Sequence, residues 1–243
     1  MNYEKYLIFG DSITEFSYNP QIYPEDPIQF TWGGALTSAY TRRMDIIQRG
    51  FIGYNTRQAK KILPKILEHD GRNVKMASIG FGTNDASTAG PFVIPVEEYR
   101  QNILEMIGML RDHGIEKILL ISPAAMDHAH WKAKVEGDIK IGMERSNEAF
   151  VPYVKCLEDI ARQEKIGVVN LNKPFNAEIA RRPNDWQKLF VDGVHLGNDG
   201  SKIYFNELMN AIKKFYPEYH PDNLPYKLPE CPDLLPDLSN LNP

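Results

Sequence analysis

The chain alternates short apolar runs with longer stretches whose apolar residues recur every three or four positions. Lys5 to Phe9, Met44 to Gln48, Val74 to Ile79, Lys117 to Ser122 and Gly167 to Leu171 are short and β-compatible, and they read as strands. Trp32 to Arg43, Thr56 to His69, Val96 to His113, Asn147 to Glu164 and Asp199 to Phe215 have helical spacing. In Thr56 to His69 the side chains of Ile62, Leu63, Ile66 and Leu67 share one side, and in Val96 to His113 those of Tyr99, Ile103, Met106, Ile107 and Leu110 do so. Five strands alternating with helices predict an α/β fold, a three-layer α/β/α sandwich around a five-stranded parallel sheet. No repeat of 20–50 residues is visible, and residues 1–243 read as a single domain.

Two stretches break the alternation. Met126 to Arg145 is polar, with Trp131 and Met143 interspersed, and is expected to be a surface insertion near the C-terminal edge of the sheet. The tail from Pro217 to Pro243 holds seven of the 17 prolines, which forbid a regular helix or a central strand. Yet Tyr219, Leu224, Tyr226, Leu228, Leu234 and Leu235 need an apolar surface to cover. The tail is therefore expected to be an ordered arm, packed over its own domain or across a partner in a homodimer.

Composition narrows the class. The chain is 42% hydrophobic and 25% charged, as globular proteins are, and its formal net charge is −4. That balance gives no electrostatic reason to expect nucleic acid or an anionic membrane surface. No apolar run approaches the roughly 20 residues that span a bilayer. The N-terminus enters a strand at once, without a signal-peptide pattern. Cys156 and Cys231 sit in unlike contexts with no metal-ligand spacing, and they read as reduced thiols. The expectation is a cytoplasmic protein without membrane insertion.

The candidate chemistry lies just after the strands. Gly10-Asp11-Ser12-Ile13-Thr14 follows the first strand directly, which lifts the Ser12 hydroxyl onto the C-terminal edge of the sheet, where open α/β folds bind ligands. A serine there is also a favoured helix N-cap, but outward-pointing backbone N–H groups at a helix start suit a nucleophile that develops negative charge. Asp192-Gly193-Val194-His195 places a carboxylate within reach of an imidazole, or else is a surface loop with a capping aspartate. A serine, a histidine and an aspartate are the parts needed for acyl transfer. Gly82-Thr83-Asn84-Asp85 follows the third strand, and its Asn84 amide can bind an oxyanion without a competing charge; an asparagine in a tight turn is the plainer alternative. The glycines of Gly50-Phe51-Ile52-Gly53 allow either a turn or close approach of a ligand to a backbone N–H. There is no Gly-x-Ser-x-Gly elbow and no phosphate-cradling glycine loop. Asp127-His128-Ala129-His130 has metal-ligating residue types but no partner motif, and reads as a solvated loop.

Taken together, these blocks resemble the GDSL, or SGNH, hydrolase family. Gly10-Asp11-Ser12-Ile13 is similar to its nucleophile block, with Ile in place of the usual Leu; Gly53, Gly82-Thr83-Asn84-Asp85 and Asp192-Gly193-Val194-His195 are similar to the other three, in order. Arg49-Gly50-Phe51-Ile52-Gly53-Tyr54 and Phe215-Tyr216-Pro217 further resemble the branch of esterases that hydrolyse isoamyl acetate. The resemblance implies a flavodoxin-like fold and a serine esterase acting on short acyl esters of small alcohols, with no metal or organic cofactor. It implies Ser12 as nucleophile, His195 as general base, Asp192 as its orienting partner, and an oxyanion hole from the N–H groups of Ser12 and Gly53 and the amide of Asn84. Asp11 and Asp85 are expected to support the loops. The family also includes lysophospholipases, thioesterases and carbohydrate deacetylases. Two readings of other classes are a metal-dependent phosphoesterase using Asp11, Asp85, Asp192 and His195, and a non-catalytic binding module on this scaffold. The tail begins right after the helix that follows His195, so the arm is also expected near the ester pocket, walling it if it crosses to a partner.

Overall fold

A computed structural model of the chain describes residues 3–134, 136–140 and 143–231. Five strands form the sheet: β1 (Lys5–Gly10), β2 (Asp45–Gly50), β3 (Val74–Gly80), β4 (Lys117–Ile121) and β5 (Gly167–Val169). Their order is β2-β1-β3-β4-β5, every pairing is parallel, and the order reverses between β1 and β3. This is the flavodoxin-like arrangement, whose ligand crevice lies beyond the carboxyl ends of the strands at the reversal.

Side chains alternate across the strands, so each strand feeds two cores. Leu7, Phe9, Ala77, Ile79, Ile118 and Leu120 face one way. They pack against α3 (Thr56–Asp70), α4 (Val96–Asp112) and α7 (Asn147–Glu164) through Leu63, Ile103, Met106, Leu157 and Ile160. Tyr6, Ile8, Met76, Leu119, Ile121 and Val169 face the other way, against α2 (Trp32–Ala39), α8 (Asn172–Arg181) and α9 (Asn198–Phe215) through Leu36, Phe175, Leu208 and Ile212. Burial on both faces explains why the central strands β1, β3 and β4 read as largely apolar runs, whereas β2, at the sheet edge, is only partly buried and carries Asp45, Gln48 and Arg49. No described helix is long and apolar enough to cross a membrane.

The arm does not lie where its position after His195 suggested. The 18 residues of α9 carry the chain from the His195 turn to the opposite edge of the sheet, about 27 Å at 1.5 Å per residue. There the Tyr216 hydroxyl donates to the Ile118 carbonyl and accepts from the Gly167 amide, at the entry to β4 and β5. Residues 217–231 then pack on their own domain beside the turn that enters β2. Tyr40 donates to the Tyr219 carbonyl, Arg43 to that of Leu224, and Arg42 to those of Leu228 and Pro229. The Tyr226 ring lies 4.6 Å from the Arg42 guanidinium and 4.1 Å from that of Arg43. The rest of the expected arm, 232–243, lies outside the described residues.

Met126 to Arg145 is the expected surface insertion only in part: His128, Ala129, Lys132, Ala133, Glu136 and Lys140 are exposed, but the segment also has a buried side. It carries α5 (His128–Lys134) and α6 (Glu136–Lys140), and Met126, Asp127, Trp131, Met143 and Arg145 are buried. Two short elements lacked a periodic signal: α1 (Ser12–Glu15), a single turn, and α8, which buries Phe175.

Candidate active site

β1 ends at Gly10, opposite Gly50 of β2 and Gly80 of β3, so the loops after these three strands emerge side by side. Asp11, rather than Ser12, is the N-cap of α1: its carboxylate accepts from the Ile13 amide at 3.0 Å. Ser12 is thereby the first helical residue, and its side chain is left for another partner. That partner is His195, whose Nε2 lies 2.9 Å from the Ser12 Oγ. The imidazole Nδ1 lies 2.6 Å from Asp192 Oδ2. A carboxylate only accepts, so Nδ1 carries the proton and Nε2 offers its lone pair to the serine hydroxyl.

The turn carrying Asp192 and His195 is tightly closed. Phe190 bridges to Leu196, and the Val191 amide donates to the His195 carbonyl at 2.9 Å. Gly193 sits at φ +98°, and a side chain there would meet the Asp127 carbonyl at 2.4 Å. Asp192 Oδ1 accepts from the amides of Val194 and His195 at 3.0 and 2.8 Å, and Oδ2 accepts a second hydrogen bond from the Tyr23 hydroxyl at 2.7 Å. Burial alone would raise its pKa, but the hydrogen bond and charge of His195 and the two amides outweigh that, and the carboxyl is held well below its usual range. The rings of Phe16 and Trp131 stand edge-on to the imidazole at 5.0 and 6.1 Å. Ser12 and His195 are nearly buried, at 5% and 7% exposure.

Gly53 lies in the turn after β2, at φ +74°, with the Tyr54 amide bonded back to the Phe51 carbonyl. Glycine suits the third position of such a turn because it alone adopts a positive φ at no steric cost. The Ile52 amide donates to the Glu15 carboxylate, which ties this turn to α1. Asn84 is buried, and its Nδ2 donates to the Tyr54 carbonyl at 2.8 Å, which places the amide beside the Gly53 turn. Asp85 accepts from the Thr56 amide at 2.9 Å and from the Thr56 hydroxyl, locking the same loop to the start of α3. Burial pushes the pKa of Asp11 up to about 6 and that of Asp85 up to about 7. The structure thus joins Ser12, His195 and Asp192 by direct contacts, sets Gly53 and Asn84 on adjoining turns, and puts Asp11 and Asp85 behind the loops. In chemical terms, a hydroxyl is bonded to a basic nitrogen whose ring is steered by a carboxylate, the arrangement that transfers acyl groups.

Asp127 is spent on helix capping, accepting from the amides of Ala129 and His130 at 3.1 and 3.2 Å. No group of three or more metal-ligating side chains occurs among the described residues. Tyr23, Phe16, Trp131 and Arg145 also border this site, although nothing in the sequence marks them for it. Tyr23 lies in a proline-containing loop with no period, and the other three have no motif around them that sets them apart.

Fold and site define a hydrolase of the α/β/α sandwich type, and comparison with known proteins agrees. Residues 8–203 match the model of the GDSL-like Lipase/Acylhydrolase family. An isoamyl acetate-hydrolyzing esterase from Saccharomyces cerevisiae is 44% identical over 241 residues, covering 99% of each chain. An isoamyl acetate-hydrolyzing esterase 1 homolog from Rattus norvegicus is 31% identical, covering 95% of this chain and 85% of its own. Among solved structures, a lipase/acylhydrolase from Enterococcus faecalis superposes with a TM-score of 0.67 at 21% identity, covering 93% of this chain and 100% of that one. The chain belongs to the GDSL-like lipase/acylhydrolase family and is a carboxylic ester hydrolase.

Proposed function

We propose that the chain hydrolyses acetate and other short acyl esters of small alcohols, isoamyl acetate among them, through Ser12, His195 and Asp192. The observation that carries this reading is the bonded sequence from Ser12 Oγ to His195 Nε2 and from His195 Nδ1 to Asp192. Ser12 Oγ attacks the ester carbonyl carbon as its proton passes to His195 Nε2, and Asp192 stabilises the imidazolium that results. The carbonyl oxygen, now negative, is received by the N–H groups of Ser12 and Gly53 and the free hydrogen of the Asn84 amide. Among the described residues the two backbone amides have no other acceptor. His195 returns the proton to the leaving alkoxide as the C–O bond breaks, leaving an acyl-Ser12. Water, deprotonated by His195, then attacks that ester; the bond to Ser12 Oγ breaks as His195 returns the proton to it, and the acid is released.

Asp11 and Asp85 act through structure, the first by capping α1 and the second by fixing the Asn84 loop to α3. All of these groups come from one chain, so the reaction needs no second copy. The choice of a short acyl group is supported by the slight exposure of Ser12 and by the Phe16 and Trp131 rings that crowd His195. It is supported also by the named activity of the yeast relative. A series of p-nitrophenyl esters tests it: kcat/KM is expected to be highest for acetate and to fall as the acyl chain lengthens, with isoamyl acetate hydrolysed as well. A maximum at eight or more carbons would overturn the short-acyl assignment.

A further inference from the structure

Arg145 is almost wholly buried, at 2% exposure. A buried guanidinium is costly unless its donors are used. Its Nε donates to the Thr83 carbonyl at 2.9 Å and its Nη1 to that of Met143 at 3.3 Å. Its Nη2 donates to Asn84 Oδ1 at 2.5 Å. The guanidinium centre lies 4.9 Å from the ring of Trp131, the same ring that stands beside His195. One of these acceptors is the oxygen of the Asn84 amide, so the guanidinium stands directly behind that amide.

We infer that Arg145 is a positioning residue for ester hydrolysis, holding the Asn84 amide in the orientation and polarisation that the oxyanion requires. The inference rests on the oxyanion role proposed for Asn84. An amide can flip, exchanging its oxygen and nitrogen. Here Oδ1 faces the Arg145 donor and Nδ2 faces the Tyr54 carbonyl. A flip would set donor against donor at one end and acceptor against acceptor at the other. One hydrogen of Nδ2 is taken by Tyr54, and the second is held in the plane those two contacts fix. Donation from a cation into Oδ1 also draws electron density through the amide, which makes that remaining N–H a stronger donor. The stronger donor matters most when the carbonyl oxygen becomes anionic, so the effect belongs to the transition state rather than to substrate binding.

A double-mutant cycle on p-nitrophenyl acetate hydrolysis tests this, with Asn84→Ala, Arg145→Met, Arg145→Lys and the paired variants. Asn84→Ala is expected to lower kcat by about 10²–10³. Arg145→Met is expected to lower kcat by about 10²-fold with KM changed less than about twofold, and Arg145→Lys to recover part of the loss. In the Asn84→Ala background, either Arg145 substitution should slow the enzyme by no more than about threefold, because its target is gone. Affinity for a trifluoromethyl ketone should fall in step with kcat. Where Arg145→Met does not fold, judged by thermal unfolding, the cycle with Arg145→Lys decides. If Asn84→Ala keeps near-wild-type kcat, the oxyanion reading itself fails. If Asn84→Ala is slow but the Arg145 losses multiply with it, or appear in KM alone, the oxyanion reading stands and the role given to Arg145 is wrong.

Discussion

Asp85 accepts two hydrogen bonds through one oxygen, and its other oxygen, Oδ2, is buried with no hydrogen-bond partner among the described residues. Burial pushes its pKa up to about 7, against an ordinary value near 4. Between those limits the folded protein holds a proton that the unfolded chain has released, so this group's contribution to stability falls as pH rises from about 4 to about 7. Asp11, pushed up to about 6, works in the same sense over a narrower window. Asp192 works in the opposite sense: held below the usual range, it contributes stability above the ordinary carboxylate pKa that is lost as pH falls. Asp85→Asn keeps an oxygen for Thr56 and abolishes the titration. The melting temperature of this variant, relative to wild type, is therefore expected to rise steadily between pH 5 and pH 8. A difference that stays constant across that range would show that Asp85 does not change ionisation there.

At the level of elements, residues 217–231 are held by Arg42 and Arg43, and these follow α2 in a turn where Arg42 takes a positive φ of 61°. That turn is why the helix expected to run to Arg43 stops at Ala39. Tyr226→Ala removes a ring shared by two guanidinium groups and is expected to cost about 1 kcal/mol of stability. Because this clamp lies at the sheet edge opposite Ser12, the p-nitrophenyl ester profile should be unchanged; a changed profile with unchanged melting temperature would place the arm functionally at the site. The central strands were legible as short apolar runs because both faces are buried, and the long helices because burial of one face writes a period into the sequence, as in Val96 to Asp112. Helix α8 wrote little, since Phe175 is its one fully buried residue. The 126–145 segment misled because burial of Arg145 and Asp127 is decided by partners far along the chain, Thr83, Asn84 and Gly193. Gly53, Asn84 and the Ser12–Asp192–His195 group were legible because each lies in a short block directly after a strand or before a helix. Tyr23 was not, because a loop residue aimed at Asp192 from 169 positions away leaves no local mark.

On the scale of the whole molecule, the parallel sheet brings residues from the two ends of the chain together: Ser12 leaves β1 and His195 precedes α9, 183 residues later. The central claim is that this meeting makes Ser12 the nucleophile. It is tested most directly by inactivating the protein with a serine-reactive organophosphonate, in the presence of EDTA, and locating the adduct by peptide mass spectrometry. One adduct per chain is expected, on Ser12, with turnover lost in proportion, and the Ser12→Ala protein should melt normally but neither label nor hydrolyse p-nitrophenyl acetate. An adduct on another residue, or turnover surviving in Ser12→Ala, would contradict that claim.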